Sequence, residues 1–261
     1  MTPTTDGGAS GRPGFGAAWD EYARRSQPSG DAWPGDEWGD ERLWSAWFRR
    51  LFEAHGVRDW RRAVEIGQGS GKYTSRVLAS AESCEVLALD VSSQFQALCG
   101  RRLEREVAAG RLHLQLIDER DPDPIRRAVE ARGWGTSVDA VYSIDTLVHL
   151  TTTQLAMLLL SATGALRVGG WFIGTFADCT NPSGWRKLVT DIPRVVGGGG
   201  APETGCFHWN SPQAIRSLAA PFGYDVALCE VDPEHGRDGL FAFRFTDPAA
   251  AAAARALRDP A

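Results

Sequence analysis

Residues 64–71 read Val-Glu-Ile-Gly-Gln-Gly-Ser-Gly, which sets a carboxylate, Glu65, beside three glycines, Gly67, Gly69 and Gly71. The apolar residues Ala63, Val64 and Ile66 mark a strand before the glycines, and Tyr73, Val77, Leu78 and Ala81 mark one face of a helix after them. Glycines at such a turn allow φ > 0 and keep a Cβ out of the space between backbone and ligand. The crevice at the carboxyl end of the strand is where open α/β sheets bind ligands. Two nucleotide motifs fail on spacing. A dinucleotide fingerprint needs a third glycine where Lys72 stands, and a phosphate-binding P-loop needs glycine at Ile66 and a hydroxyl at Tyr73. A second carboxylate, Asp90, ends the strand-like run Glu85-Val86-Leu87-Ala88-Leu89, 19 residues after Gly71. An aspartate there can simply cap a strand. At this spacing from a glycine turn it can instead accept both hydroxyls of a ribose, and the pairing favours that role.

The pattern acid-x-Gly-x-Gly-x-Gly resembles the first motif of class I methyltransferases that use S-adenosylmethionine. The later stretches Asp139-Ala140-Val141-Tyr142-Ser143-Ile144-Asp145-Thr146-Leu147-Val148-His149-Leu150 and Leu166-Arg167-Val168-Gly169-Gly170-Trp171-Phe172-Ile173 look like further motifs of that family, in the same order. The resemblance implies an α/β fold: a doubly wound, mostly parallel seven-stranded sheet with a C-terminal antiparallel hairpin, plus an N-terminal helical and aromatic lid segment. It implies S-adenosylmethionine as cofactor. Gly67, Gln68, Gly69 and Gly71 would lie under its amino-acid part, with Glu65 ordering that region. Asp90 would take the ribose, Val91 and Ile117 would flank the adenine, and Asp118 would accept from its amino group. Ser143 joins the same shell.

The elements that must position these residues are readable in turn. The third strand is Arg111 to Ile117, followed by a helix with Asp123 as N-cap and Pro124 at its first position. The fourth strand is Val138 to Ile144, and a helix with Leu155, Leu158, Leu159, Ala162 and Leu166 at helical spacing follows. Gly169-Gly170 is expected to turn the chain from that helix into a fifth strand, Trp171 to Thr175. Residues 177–207 read as a long substrate-side insertion, and such loops are usually functional or disordered. Ser211, Pro212 and Gly223 signpost both ends of a last helix. Tyr224 to Val231 and Leu240 to Phe245 then form the hairpin.

At the N-terminus, residues 1–16 are rich in Thr, Gly and Pro and are expected to be disordered. Residues 17–62 form a lid and helix, 63–247 the methyltransferase domain, and 248–261 an alanine-rich tail, a frayed helix at most. The stretch 40–55 predicts one helix with Asp40 as N-cap and Gly56 as its stop. Residues 32–39 have neither helical nor strand period yet hold Trp33 and Trp38. Either could be a lid over a cationic sulfonium or plain packing.

The 261 residues are 43% hydrophobic with net charge −5, which fits one sizeable core and makes a poor polyanion binder. No apolar window spans a membrane, and no signal pattern opens the chain. Five scattered cysteines without C-x-x-C argue against disulfides and zinc and fit a cytoplasmic setting; no metal is predicted. Only Lys72 and Lys187 among 28 basic residues are lysine, which reads as a bacterial coding bias. His149, His208 and Asp145 are the candidate proton acceptors, and Trp185 and Trp209 join Trp33 and Trp38 as candidate substrate or lid residues. Nucleic-acid amino-methyltransferases carry Asn/Asp-Pro-Pro-aromatic where this chain has Ser143-Ile144-Asp145-Thr146, and Asn181-Pro182-Ser183-Gly184 falls one strand too late. A small-molecule acceptor, methylated on oxygen or nitrogen, is the residual class. The alternatives are a cofactor-binding protein that does not methylate, or different chemistry with the same or a decarboxylated cofactor.

Overall fold

A computed structural model describes residues 14–26, 32–197, 204–205, 207–232 and 237–258. The expected disorder of residues 1–13 and the Pro233 to Gly236 part of the hairpin loop lie outside them, as does Cys206. The chain opens with α1 (Phe15–Arg25), so Phe15 and Gly16 belong to a helix and not to a disordered tail. Next comes α2 (Glu41–Trp47), capped by Asp40, whose carboxylate accepts from the Leu43 N–H at 2.8 Å. The single helix expected over 40–55 is broken. A π turn, Phe48–Phe52, and a 3₁₀ turn, Glu53–His55, continue it to Gly56, which is left-handed at φ 77°. Phe48, Leu51 and Phe52 all face inward, and Leu51 and Phe52 are fully buried.

Then follow β1 (Arg62–Ile66), α3 (Lys72–Ser80), β2 (Glu85–Asp90), α4 (Ser93–Arg102), α5 (Glu104–Ala108), β3 (Leu112–Leu116), α6 (Pro124–Ala131), β4 (Val138–Ser143), α7 (Thr152–Ala162) and β5 (Leu166–Asp178). The chain continues through α8 (Pro182–Gly197), β6 (Trp209–Asn210), α9 (Pro212–Ala219), β7 (Tyr224–Val231), β8 (Asp238–Phe245) and α10 (Pro248–Arg258). The sheet runs β3-β2-β1-β4-β5-β8-β7, with the two-residue β6 paired to β5. Strands β1 to β5 are parallel, and β8 is antiparallel to both β5 and β7. That is the expected doubly wound sheet with its terminal hairpin. Parallel central strands bury both faces, which is why β4 is buried at every position and reads as an apolar run.

Three local expectations are corrected. Gly169-Gly170 does not end a helix. α7 stops at Ala162, and the pair lies inside β5 where pairing with β4 shifts register between Val138 and Ala140. Leu166 therefore starts a strand. Residues 177–207 are not a bare loop, because 16 of them form α8. The Asn181-Pro182-Ser183-Gly184 run is its start: Asn181 Oδ1 accepts from the Gly184 N–H at 2.8 Å and proline takes the first turn. The alanine-rich tail is a docked helix. Ala251 is fully buried, Arg255 donates to Thr163 Oγ1, and Arg258 pairs with Asp123.

Candidate cofactor and acceptor site

The carboxyl ends of β1, β2 and β4 open onto a cavity of about 330 Å³. Its floor is Ile66, Gly67, Gly69, Asp90 and Val91, and Ile117, Asp118, Pro124 and Met157 form one wall. A second chamber of about 70 Å³ adjoins it across the same glycines and is lined by Glu65, Gln68, Ser70, Lys72, Tyr73 and Trp44. Trp38, Phe95, Asp145 and Thr146 line both. The division matches a ligand with a nucleoside end and a smaller polar end.

Local geometry explains the turn. Gly67 has φ 68°, and a Cβ there would overlap the Thr146 side chain, whose hydroxyl donates to the Gly67 carbonyl at 3.0 Å. Gly69, at φ 54°, meets only the Phe95 ring edge 3.9 Å away, so its backbone is open to a ligand. Gly71 serves another purpose. A Cβ there would press on Cys99 and Leu103, so this glycine allows α3 to pack on α4 and lines neither chamber.

Asp90 is buried, with Oδ1 accepting from the Ser92 N–H at 2.8 Å and Oδ2 from the Gly69 N–H at 3.2 Å. Each oxygen keeps a lone pair for a further donor, which suits two vicinal hydroxyls. Burial pushes its carboxyl up to about 6 against those hydrogen bonds. Glu65 is deeper, accepting from Thr74 Oγ1 at 2.5 Å and Tyr142 Oη at 2.9 Å, and burial pushes it up to about 7. A carboxyl raised from 4.5 to about 7 by folding stabilises the protein fully below pH 4.5. That contribution is lost as pH rises through about 7. Glu65→Gln should therefore gain stability relative to wild type across pH 5–8, by on the order of 3 kcal/mol at the upper end. Thermal melts of both proteins over that range check it, and parallel curves would remove Glu65 as the source.

Asp145 is the one described non-glycine residue with positive φ, at 56°. Such a conformation at a cavity is where backbone strain is usually kept for function. Its N–H donates to Thr175 Oγ1 at 2.9 Å, and its carboxylate faces Arg237 at 3.1 Å. Burial raises the carboxyl, and the Arg237 guanidinium opposes that rise. His149, on the 3₁₀ turn after β4, also lines the large chamber. Its ring lies 5.1 Å from Trp19, 6.1 Å from Phe15 and 5.2 Å from Phe207.

Several expected site residues lie elsewhere. Ser143 is fully buried and donates to the Ile66 carbonyl at 2.9 Å, so it ties β4 to β1 and touches neither chamber. His208 is exposed and reaches the site only through its backbone, an N–H to the Val148 carbonyl at 2.7 Å. Trp185 is 59% exposed on α8, and Trp209 packs beside Phe207 on β6. Trp33 lies 5.8 Å from the Arg102 guanidinium, outside the cavity. Of the four tryptophans only Trp38 lines it.

Two residues that the sequence did not single out, Phe15 and Trp19 on α1, line the large chamber, with Trp19 edge-on to Trp38 at 5.7 Å. Asp20 fastens that helix. Its carboxylate accepts from Ser92 Oγ at 2.6 Å, Ser93 Oγ at 3.1 Å and the Gln94 N–H at 3.0 Å, at the N-terminus of α4 just past Asp90. The signal available was an amphipathic 15–25 with Phe15, Trp19 and Tyr22 on one face. Asp20→Ala should speed hydrogen exchange across residues 15–25 while leaving 62–90 protected. Unchanged exchange in α1 would mean that the aromatic contacts alone hold it.

The residues present fit a nucleoside cofactor with an amino-acid end. Gln68, only 5% exposed, has both amide atoms without a partner in the small chamber, and buried polar groups are normally paired. Among the described residues no group of three or more His, Cys, Asp or Glu could hold a metal ion, and no helix is long and apolar enough to cross a membrane.

Sheet order, glycine turn and paired carboxylates together are those of a Rossmann-like fold with a crevice for a nucleoside ligand. Residues 64–172 match the family model described as a methyltransferase domain. That stretch of the chain therefore carries the signature of a methyltransferase domain. A search of curated proteins finds no match. Among solved structures, the fold is similar to that of magnesium protoporphyrin IX methyltransferase from Synechocystis PCC 6803 with bound SAH. The TM-score is 0.61 at 14% identity, over 89% of this chain and 96% of that one. It is also similar to the S-adenosylmethionine-dependent methyltransferase SibL in its apo form, with TM-score 0.55 at 17% identity over 79% of this chain. A third is an O-methyltransferase from neocarzinostatin biosynthesis, in complex with S-adenosyl-L-homocysteine and 1,4-dihydroxy-2-naphthoic acid. There the TM-score is 0.52 at 16% identity over 78% of this chain. The chain spans 57% and 56% of the lengths of the last two. At these identities the likeness is one of fold.

Proposed function

We propose that this protein transfers the methyl group of S-adenosylmethionine to an oxygen or nitrogen of a small-molecule acceptor, of the natural-product kind. The observation that carries the reading is the large chamber itself. Asp90 and Val91 line it together with the rings of Phe15, Trp19, Trp38 and His149. The cofactor supplies an activated methyl on a cationic sulfur. The chain has to place a nucleophile in line, keep water out and, for a hydroxyl, take a proton. The aromatic rings of α1 and Trp38 exclude water and offer π faces to a sulfonium. Besides Asp90, Asp118, Glu119 and Asp121, the cavity is lined by His149 and Asp145, and of these two candidates His149 is assigned the role of base. Asp145, held by Arg237, is assigned to position the cofactor's amino-acid end.

An aromatic enclosure of this size suits a flat phenol or amine. The neocarzinostatin O-methyltransferase, crystallised with a dihydroxynaphthoic acid, lends the phenolic option support. The net charge of −5 argues against nucleic acid. The test is incubation with S-adenosylmethionine and a panel of phenols, naphthols and aromatic amines, read as S-adenosylhomocysteine formed and as mass gain of one methyl on the acceptor. Tight cofactor binding with no turnover on any member would favour the alternative, a binding protein of the same fold that does not methylate.

A further inference from the structure

Lys72 breaks the dinucleotide fingerprint, yet it lines the small chamber with Gln68 and Trp44, whose side chains hold three buried polar atoms that have no partner. These are Gln68 Oε1, Gln68 Nε2 and the indole nitrogen of Trp44, and Trp44 is 5% exposed. Leaving three buried polar atoms unpaired is costly, and it is sensible where a ligand completes them. Lys72 Nζ sits 4.0 Å from the centre of the Trp44 ring, so ammonium and indole face the same space. The ammonium is provisionally engaged elsewhere. It donates to the Gly35 carbonyl at 2.8 Å and lies 3.6 Å from Asp36 Oδ1. Asp36 has other partners: Arg102 at 3.1 Å and the Trp33 N–H at 3.1 Å. Arg102 also reaches Ser70 Oγ at 3.1 Å. Glu65 and Asp145 line the same chamber as Lys72 and Trp44.

We infer that Lys72, with the Trp44 indole N–H and the Gln68 amide, forms a receptor for the cofactor's α-carboxylate, and that Asp36 competes with that carboxylate for Lys72. The inference rests on S-adenosylmethionine being the ligand and adds to it which end of the molecule this chain discriminates. An ammonium and two neutral donors facing a carboxylate form charge-assisted hydrogen bonds. A cofactor lacking the carboxylate leaves those donors unpaired, which is how buried polar sites reject an analogue. A decarboxylated cofactor is therefore a poor ligand here. Because Asp36 lies on the 33–38 segment that carries Trp38, binding also redistributes the charges that hold this segment against α3 and α4.

The experiment is calorimetric titration of the purified full chain with S-adenosylhomocysteine and with 5′-methylthioadenosine, which keeps the nucleoside and thioether but has no amino-acid end. The readout is the ratio of their affinities. Lys72→Met should weaken S-adenosylhomocysteine roughly tenfold to a hundredfold and leave 5′-methylthioadenosine within about twofold. Trp44→Phe, which keeps the ring and removes the N–H, should shift the ratio the same way by a smaller factor. Asp36→Asn should shift it in the opposite direction, towards S-adenosylhomocysteine, because the competitor is gone. Circular dichroism and melting of each variant separate a folding defect from a lost contact. Equal loss for both ligands in Lys72→Met, or an unchanged ratio in both Lys72→Met and Trp44→Phe, overturns the receptor. A ratio in Asp36→Asn that stays put or falls overturns the competition. If the wild type bound neither ligand, the cofactor reading itself would fail, a result distinct from either.

Discussion

His149→Ala is expected to lower methylation of a hydroxyl acceptor by roughly 10²–10⁴, the usual worth of a positioned general base. Cofactor affinity should change little, because in the proposed function the nucleoside contacts are those of Asp90, Val91 and Ile117, which line the same cavity. The geometry behind the expectation is specific. His149 follows β4 on a tight turn, its backbone N–H is held by the Thr146 carbonyl at 3.1 Å, and rings from α1 and Phe207 surround its side chain. Histidine titrates near neutrality, so the acid limb of the rate profile should vanish in the variant. The companion Asp145→Asn decides between the two groups. Full loss there with an active His149→Ala would move the base to Asp145. Full activity in both would leave catalysis to positioning, as suits an amine that arrives neutral. His208→Ala should be silent in the chemical step, since that side chain is exposed and outside the cavity.

Asp90→Ala should weaken S-adenosylmethionine by about 1.5–3 kcal/mol, or roughly tenfold to a hundredfold. The carboxylate must be ionised to accept from two hydroxyls, and burial has pushed its carboxyl up to about 6 in the free protein. Wild-type affinity should therefore fall as pH drops through 6, and Asp90→Ala should lack that dependence. Titration of both proteins between pH 5 and 8 measures it. An affinity that survives the substitution would strip Asp90 of the ribose role and leave it as the acceptor for the Gly69 and Ser92 N–H groups.

What the sequence made legible was what depends on backbone chemistry at short range. Strand, glycine turn, helix and strand-ending acid at 63–90 lie within one βαβ unit, so spacing alone places Gly67, Gly69 and Asp90 around one crevice. Caps at Asp40 and Ser211 were legible for the same reason, and both side chains accept the expected N–H. Long-range packing hid the rest. Gly71 and Ser143 sit in the right motifs but spend their chemistry on α4 and β1, which only the folded neighbours reveal. Trp33 and Trp38 are five residues apart in a stretch without period, and the fold turns one towards Arg102 and the other into the cavity. The aromatic face of α1 was overlooked because it adjoins a Gly- and Pro-rich stretch. Its partner, the Ser92-Ser93-Gln94 start of α4, lies more than 70 residues away.

The Asp20 fastening has a kinetic side. Phe15 and Trp19 line the cavity; were α1 to act as its lid, ligands would enter only the fraction of molecules in which it is raised, and every apparent dissociation constant would be the intrinsic one divided by that fraction. Loosening the fastening would enlarge the receptive fraction and shorten the stay of whatever is inside. Entry and escape would thus pull against each other at one aspartate. Turnover should peak at an intermediate grip, so that a variant which binds faster than wild type need not turn over faster.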